Sequence, residues 1–399
     1  MASASITSEV SPVSTNVPWP QARELAHAAP TRLSTHPVPL AKAAGLTLAE
    51  EVRTALPMPA FDTAAMDGYA IAGPGPWQVR GVVRAGAVWT GTPLNAGEAV
   101  EISTGAPVPA GAQSVLPVEH SSTIGDLVHG NAPAPGRHIR RAGEDAPAGA
   151  CLAPPGVRIG PALLGLAASC GYDVLAVRPK PRIRVLITGD ELAASGQPGP
   201  GRIRDALGPL LPPLFAALDA DLVDLQHIPD HPADSLAESI NAARDADVVV
   251  VTGSTSVGAT DRLRPLLRAP GVRWVVDQVA CRPGHPQLLA GLPDGPWLAG
   301  LPGNPYAALV AAHTLLAPLL AGLTGRRLPV LPKAPLTGNV RVAPGCTRLI
   351  PVVWDGTAVR VAEGYSAAFL RGAALGDALA VIAPDWTDGA PVALLPLAD

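Results

Sequence analysis

The strongest constraint on the fold is an alternation of short β-branched runs with apolar helical stretches that begins after residue 180. It reads strand "RIRVLITG", helix "PLLPPLFAALDA", strand "LVDLQHI", helix "DSLAESINAARDA", strand "DVVVVTG", helix "RLRPLLRA", strand "VRWVVDQV". Strands alternating with helices at this spacing predict a doubly wound α/β domain. A chain of 399 residues also exceeds one ordinary core, so further domains are expected.

The remainder divides by pattern. Residues 17–52 read as helical, with "QARELAHAA" and "PLAKAAGLTLAEEV" at helix spacing, and "GPALLGLAASCG" resumes a helix at 160. Between them, residues 53–149 break into short alternating runs punctuated by Gly and Pro, which predicts a small β domain. Two helical flanks around a β segment suggest an insertion whose flanks, 17–52 and 150–181, close into one helical linker domain. The α/β domain is expected over 182–327. "RRLPVLPKAPL" reads as a proline-stiffened linker, and 328–399 as a small C-terminal β-barrel.

Bulk properties exclude some functions. A formal charge of −4 with 48% hydrophobic residues argues against both disorder and a nucleic-acid binder held by a basic field. The first ~16 residues lack periodicity and are expected to be disordered, with no signal-peptide pattern. Tyr306 to Leu323 approaches membrane length, yet contains His313 and Pro318, and is expected to be a buried helix. Cys151, Cys170, Cys281 and Cys346 are far apart and unaccompanied by zinc-type histidine spacing, so reduced thiols and a cytoplasmic location are expected.

In open parallel sheets ligands bind beyond the carboxyl ends of the strands. Three polar, glycine-containing segments fall there: "TGDEL" at 188–192, "TGSTSVGATD" at 252–261 and "LPGNP" at 301–305. In the second, Gly253 and Gly258 allow amides to turn inward, and Ser254, Thr255 and Ser256 add hydroxyls, a combination that can cradle a phosphate or form a plain turn. Asp190, Glu191, Asp205, Asp230 and Asp261 fall at or near predicted strand ends. Singly each is an ordinary loop acid or helix cap; converging, they suit a magnesium ion. Arg282 and His285 in "CRPGHP" can both donate to oxyanions. Asp67, Thr104, Glu144 and Asp145 in the β segment read, out of context, as turn residues.

Taken together, "FDTAAMDGYA", "ISTGAPVPAGAQSVLPVE", "RRAGEDAPAGA", "TGDEL" and "LPGNP" resemble the molybdopterin molybdenumtransferases, the MoeA and gephyrin E-domain family, in the same order over nearly the whole chain after residue 17. The resemblance implies a four-domain homodimer whose site is shared between subunits. It further implies magnesium-dependent insertion of molybdenum into adenylylated molybdopterin with release of AMP. Molybdate and the pterin are then the small-molecule partners, with other cofactor-assembly proteins and molybdoenzymes as further ones, and neither nucleic acid nor membrane is expected.

By motif position, Asp67, Thr104 and Asp145 on the β domain and Glu191, Asp230 and Asp261 on the α/β domain take catalytic roles, the last three as metal ligands. Substrate-binding roles pass to Asp190, Asp205, Gly253, Ser254, Ser256, Gly258, Arg282, His285, Pro302, Gly303, Asn304, Pro305 and Ser366. Four positions depart from the family pattern. Arg282 and His285 stand for two lysines, Leu207 for an asparagine and Ser254 for a second glycine. Only Lys42, Lys180 and Lys333 are lysines here, so arginine for lysine is a bias of the whole chain; histidine, only partly charged near neutrality, is the larger change. These departures motivate the alternative of a non-catalytic molybdopterin-binding or scaffold paralogue.

Overall fold

The computed structural model describes residues 15–232, 234–255, 262–338 and 340–397. The α/β unit is built on strands in the spatial order Asp221–Ile228, Arg182–Thr188, Val248–Thr252, Trp297–Leu301, Leu288–Gly291 and Arg273–Arg282. The first four are mutually parallel, and Leu288–Gly291 runs antiparallel to both neighbours. Val248–Thr252 is buried at every position, as a central strand covered on both faces requires. Its side chains alternate between two cores. Val248 and Val250 join Ile183, Val185, Leu211 and Phe215, whereas Val249 and Val251 join Leu186, Leu236, Ile240 and Leu263 on the other face. The sheet is therefore doubly wound, as its sequence pattern predicts, with an antiparallel hairpin strand that the pattern does not reveal.

The apolar helix runs as α over Pro305–Ala311, as a π turn over Ala312–Leu316 and as α over Ala317–Thr324, ending at Gly325 with φ of 75°. Pro318 has no N–H to offer the carbonyl four residues back, a recognised cause of such a break. This stretch is long and apolar enough to cross a membrane, but 83% of it is buried inside the protein. It is a core helix, as expected.

The N-terminal expectations need correction. Strand Thr15–Pro18, which spans the end of the stretch expected to be disordered and the start of the segment read as helical, pairs in parallel with Asp277–Ala280 of the α/β sheet; residues 1–14 lie outside the described residues. Helix Trp19–Ala28 packs through Trp19, Ala22 and Ala26 on the α/β core rather than on a linker domain. "PLAKAAGLTLAEEV" does not form a helix. It forms a 3-10 turn at Leu40–Lys42 and strands Thr47–Leu48 and Val52–Arg53, with Gly45 between them at φ of 78°. Strands His36–Pro39 and Thr47–Leu48 flank Val174–Arg178, and Val52–Arg53 pairs with Cys151–Ala153, so non-local pairing overrides local helix propensity. The linker unit is thus mixed, with helix Pro161–Ser169 sharing a core with Leu48, Val52, Ile159 and Val177.

The β segment carries a six-stranded sheet in the order Ser121–Ile124, Leu127–Gly130, Trp77–Val83, Glu98–Ile102, Gly68–Ala72 and Ser114–Pro117. At the C-terminus, Thr347–Asp355, Ala358–Val361, Lys333–Thr337, Pro391–Pro396 and Ala378–Ile382 close back on Thr347–Asp355 as a five-stranded barrel. Pairing of Cys281 with Thr347 and Arg282 with Arg348 joins the barrel to the α/β sheet. Asp219 ties the linker unit to the α/β unit. Its carboxylate accepts two hydrogen bonds from the Arg158 guanidinium at 2.8 and 3.0 Å and one from Arg326 at 2.7 Å.

Candidate active site

The carboxyl ends of Arg182–Thr188, Val248–Thr252 and Trp297–Leu301 open together into a cleft of about 490 Å³, lined among others by Glu191, Asp205, Asp230, Gly253, Ser254 and Asn304. Parallel pairing in register brings Ile187, Thr252 and Leu301 to one level, so the polar segments that follow them must converge. Gly253 makes the turn possible. Its φ is 79°, and a Cβ there would lie 2.6 Å from Thr188 Oγ1. Thr188 donates its hydroxyl to Thr252 O at 2.9 Å and lies 3.2 Å from Ser254 Oγ, leaving the serine as donor in that pair. Ser254 itself sits at φ of 48°, a region that favours glycine. The Arg264 guanidinium, paired with Asp277 at 2.9 Å, donates to Thr255 O and pins the loop from behind.

The acidic residues divide by role. Asp190 and Asp230 clasp each other: Asp230 N–H donates to Asp190 Oδ1 at 3.0 Å, and Asp190 N–H to Asp230 Oδ2 at 3.4 Å. His231 Nδ1 lies 3.2 Å from Asp190 Oδ2, and this bond, then the Asp230 amide, holds the Asp190 carboxyl below the usual carboxylate range. Glu191 and Asp230 face the cleft. Asp205 differs, being only 5% exposed. Its carboxylate accepts from Leu207 N–H at 2.8 Å, Gly208 N–H at 3.0 Å and His227 Nε2 at 2.9 Å. These contacts occupy it as a scaffold that starts helix Leu207–Ala217, whereas the sequence pattern grouped it with the cation-holding acids. Burial favours its neutral form, but the Gly208 amide, His227 and the Leu207 amide outweigh burial, so its pKa is lowered.

Asp261, Ser256 and Gly258 lie outside the described residues. Among the described residues no three metal-ligating side chains form a ready cluster. Magnesium, however, is usually held by one or two carboxylates completed by water and substrate phosphates, and Glu191 and Asp230 supply hard oxygen donors of that kind in the cleft. The donor set therefore fits the ion.

The third loop closes the cleft. Asn304 Oδ1 accepts from Ala307 N–H at 2.9 Å, capping helix Pro305–Ala311, while its Nδ2 donates to Ala368 O at 2.8 Å. That second bond draws in the barrel loop that carries Ser366, whose hydroxyl accepts weakly from Ala368 N–H at 3.5 Å. Pro302 is buried beneath the turn, and Gly303 and Pro305 line the cleft.

Other expected residues fall elsewhere in the chain. Arg282 and His285 do not line the cleft. Arg282 is exposed in the ladder to the barrel, and His285 Nδ1 donates to Val279 O at 2.8 Å. Asp67 Oδ1 accepts from Thr104 N–H at 2.6 Å, and Thr104's amide and hydroxyl hold the Asp67 carboxyl below its usual range. Asp145 N–H donates to Met58 O at 3.0 Å at the root of the β segment. None of these three lines the cleft. Leu207, at the family's asparagine position, is buried in the α/β core. Sequence reasoning passed over His227 and His231; the first is the penultimate residue of the strand "LVDLQHI" and the second lies three residues beyond its end, close enough for the strand-end rule to have found them.

Comparison with known proteins agrees with this geometry. Residues 17–171 match the family described as the MoeA N-terminal region (domain I and II), and 184–322 that of the probable molybdopterin binding domain. A molybdopterin molybdenumtransferase of Haemophilus influenzae is 33% identical over 297 residues, covering 72% of each chain. Molybdopterin molybdenumtransferase 2 of Mycobacterium tuberculosis is 36% identical over 314 residues, covering 74% of this chain and 76% of the relative. A crystal structure of the molybdopterin biosynthesis MoeA protein from Pyrococcus horikoshii superposes with a TM-score of 0.77 at 26% identity, covering 96% of this chain and 99% of that one. With its doubly wound sheet, its closed barrel and these relatives, the chain belongs to the molybdopterin molybdenumtransferase family of transferases.

Proposed function

We propose that this protein inserts molybdenum into adenylylated molybdopterin, releasing AMP in a magnesium-dependent reaction. The observation that carries the reading is the cleft itself, where Glu191 and Asp230 face the turn at Gly253 and Ser254. In this reading the amides and hydroxyls of that turn hold the phosphate groups of the substrate. Glu191 and Asp230, with Asp261, would hold a magnesium ion, whose charge would supply electrostatic stabilisation at the phosphoanhydride. Asp190 fixes Asp230 through their reciprocal amide bonds, and Asp205 fixes the floor by anchoring Leu207 and Gly208. Asn304 and the Ser366 loop wall the cleft on the barrel side.

We further propose that Asp67, Thr104 and Asp145 act in the site of a second subunit, since all three are exposed in this chain and none lines its own cleft. Arg282 and His285 would then meet molybdate in the assembled dimer. Domain limits at 17–52 with 150–181, 53–149, 182–327 and 328–399, modified by the packing of helix Trp19–Ala28 on the α/β core, and a cytoplasmic location complete the proposal. Leu207 and Ser254, one buried and one in a backbone region that disfavours its side chain, motivate a second reading as a molybdopterin-binding scaffold without turnover.

Incubation of the purified chain with adenylylated molybdopterin, magnesium and molybdate tests both readings through AMP release and active cofactor. Turnover is expected, falling roughly 100-fold or more in Glu191→Gln and Asp230→Asn, in line with the loss of charge stabilisation at a reacting centre. Pterin binding without AMP release would favour the scaffold, and undiminished turnover in both variants would remove the metal assignment.

A further inference from the structure

At the opposite end of the α/β sheet, helix Trp19–Ala28 crosses the π turn Ala312–Leu316. Trp19 Nε1 donates to Thr314 Oγ1 at 2.9 Å, and the Arg23 guanidinium donates to His313 O at 2.8 Å while lying 5.0 Å from the centre of the Trp19 ring. Arg23 is 6% exposed, and burial brings its pKa down to about 10, still well above neutrality. Its guanidinium meets a carbonyl and an aromatic ring, and no carboxylate among the described residues pairs with it. A buried cation without a counter-ion is unfavourable, so this one is poised for an anion.

Arg23 lines a cavity of about 240 Å³ together with Arg326, Arg327 and His313. Asp219 is on the same wall, but Arg158 and Arg326 already occupy its carboxylate. Burial, and secondarily the Arg23 charge, pushes the His313 imidazole down to about 4, so His313 is neutral at physiological pH and supplies no competing charge. Most of the remaining wall is apolar, including Leu218, Leu320 and Leu395. A second cavity of about 450 Å³ shares Ala217, Leu218, His313 and Pro396 with the first and continues along Leu214 and Leu309. The pair therefore offers one buried cation at the head of an apolar channel. Ala217 and Leu218 end the helix that starts at the cleft, which places these cavities at the amino ends of the strands, a sheet's length from the cleft.

We propose that the paired cavities bind a small molecule with a single carboxylate on an apolar body, the carboxylate meeting Arg23 and the body running past His313. This is a second ligand site, independent of the cleft. The competing explanation is that Arg23 merely satisfies the carbonyl freed by the π turn.

Calorimetric titration of the full chain with octanoate, with octan-1-ol as the uncharged counterpart, decides between them. One equivalent of octanoate is expected to bind at least about tenfold more tightly than octan-1-ol, and Arg23→Met to lose about that factor or more, a tenfold change being about 1.4 kcal/mol. Ala321→Trp places bulk in the cavity from another wall residue, leaves Arg23 itself unchanged, and covers the case in which Arg23→Met does not fold. It should abolish binding with the circular dichroism spectrum unchanged, while Glu191→Gln leaves octanoate binding intact. Absence of octanoate binding, equal affinity for the alcohol, indifference to Ala321→Trp, or loss of binding in Glu191→Gln would each overturn the proposal.

Discussion

Replacing Asp205 by alanine separates a scaffolding carboxylate from a ligand. The side chain is buried beneath the cleft and accepts two backbone amides and His227. Its loss strands the Leu207 and Gly208 N–H groups at about 1–3 kcal/mol each; partial access of water from the cleft brings the expected total to about 2–4 kcal/mol. At roughly 2–4 °C per kcal/mol for domains of 150–250 residues, the thermal midpoint should fall on the order of 10 °C. Asp205→Asn retains one acceptor oxygen but turns an NH2 toward its donors, so its loss should be intermediate.

The pH dependence adds a second check. Burial raises the Asp205 pKa, the Gly208 amide, His227 and the Leu207 amide together lower it further, and the net shift is downward. A lowered folded pKa means that its stabilisation is complete above the ordinary aspartate pKa of ~3.9 and is lost as pH falls through the folded value. The gap between wild type and Asp205→Ala should therefore be constant from neutral pH to about pH 5 and close in stronger acid. Thermal unfolding followed by circular dichroism across this range, with AMP release measured in parallel, provides the assay. A variant with an unchanged midpoint and lost substrate binding would refute the scaffold argument and make Asp205 a direct ligand.

Two further perturbations probe the cleft and the junction between units. Gly253→Ala combines a left-handed φ of 79° with a Cβ 2.6 Å from Thr188 Oγ1; the backbone cost alone is about 1–2 kcal/mol. Affinity for adenylylated molybdopterin should fall at least about tenfold, measured by equilibrium titration, and wild-type affinity would show that the turn does not hold the phosphates. Asp219→Ala leaves Arg158 and Arg326 without their shared carboxylate, whose own side chain is 10% exposed. Breaking a buried pair from one side costs about 3–5 kcal/mol, less where a partner is solvated as Arg158 is, so the urea midpoint should drop clearly at pH 7. An unchanged midpoint would mean that the units are held by apolar packing alone.

How much was legible depended on whether a feature was local. The Val248–Thr252 run and its neighbours declared a sheet covered on both faces, because an unbroken run of β-branched apolar residues of strand length is a property of the strand itself. The strand-end rule then found Glu191, Asp230, Gly253 and Asn304, since the end of a parallel strand is marked in the chain by where the apolar run stops. "PLAKAAGLTLAEEV" failed for the opposite reason. Its partners lie more than 100 residues away at Val174–Arg178 and Cys151–Ala153, and nothing within the segment records them. Nothing in the helical pattern "QARELAHAA" marks Arg23 as buried, and its partner is the π turn of a helix nearly 300 residues later.

What the sequence determined by itself was the set of elements that carry their own periodicity and the glycines that let loops turn, and with them the family and the end of the sheet where chemistry belongs. Tertiary structure alone decided which carboxylates are free and which are spent. Asp205 and Asp230 are indistinguishable as loop acids and both line the cleft, yet one is buried and saturated by two amides and an imidazole while the other is half-buried and accepts a single long amide bond at 3.4 Å. The reason is physical: the state of a charged group depends on the donors and the water around it, and folding assembles both from distant parts of the chain.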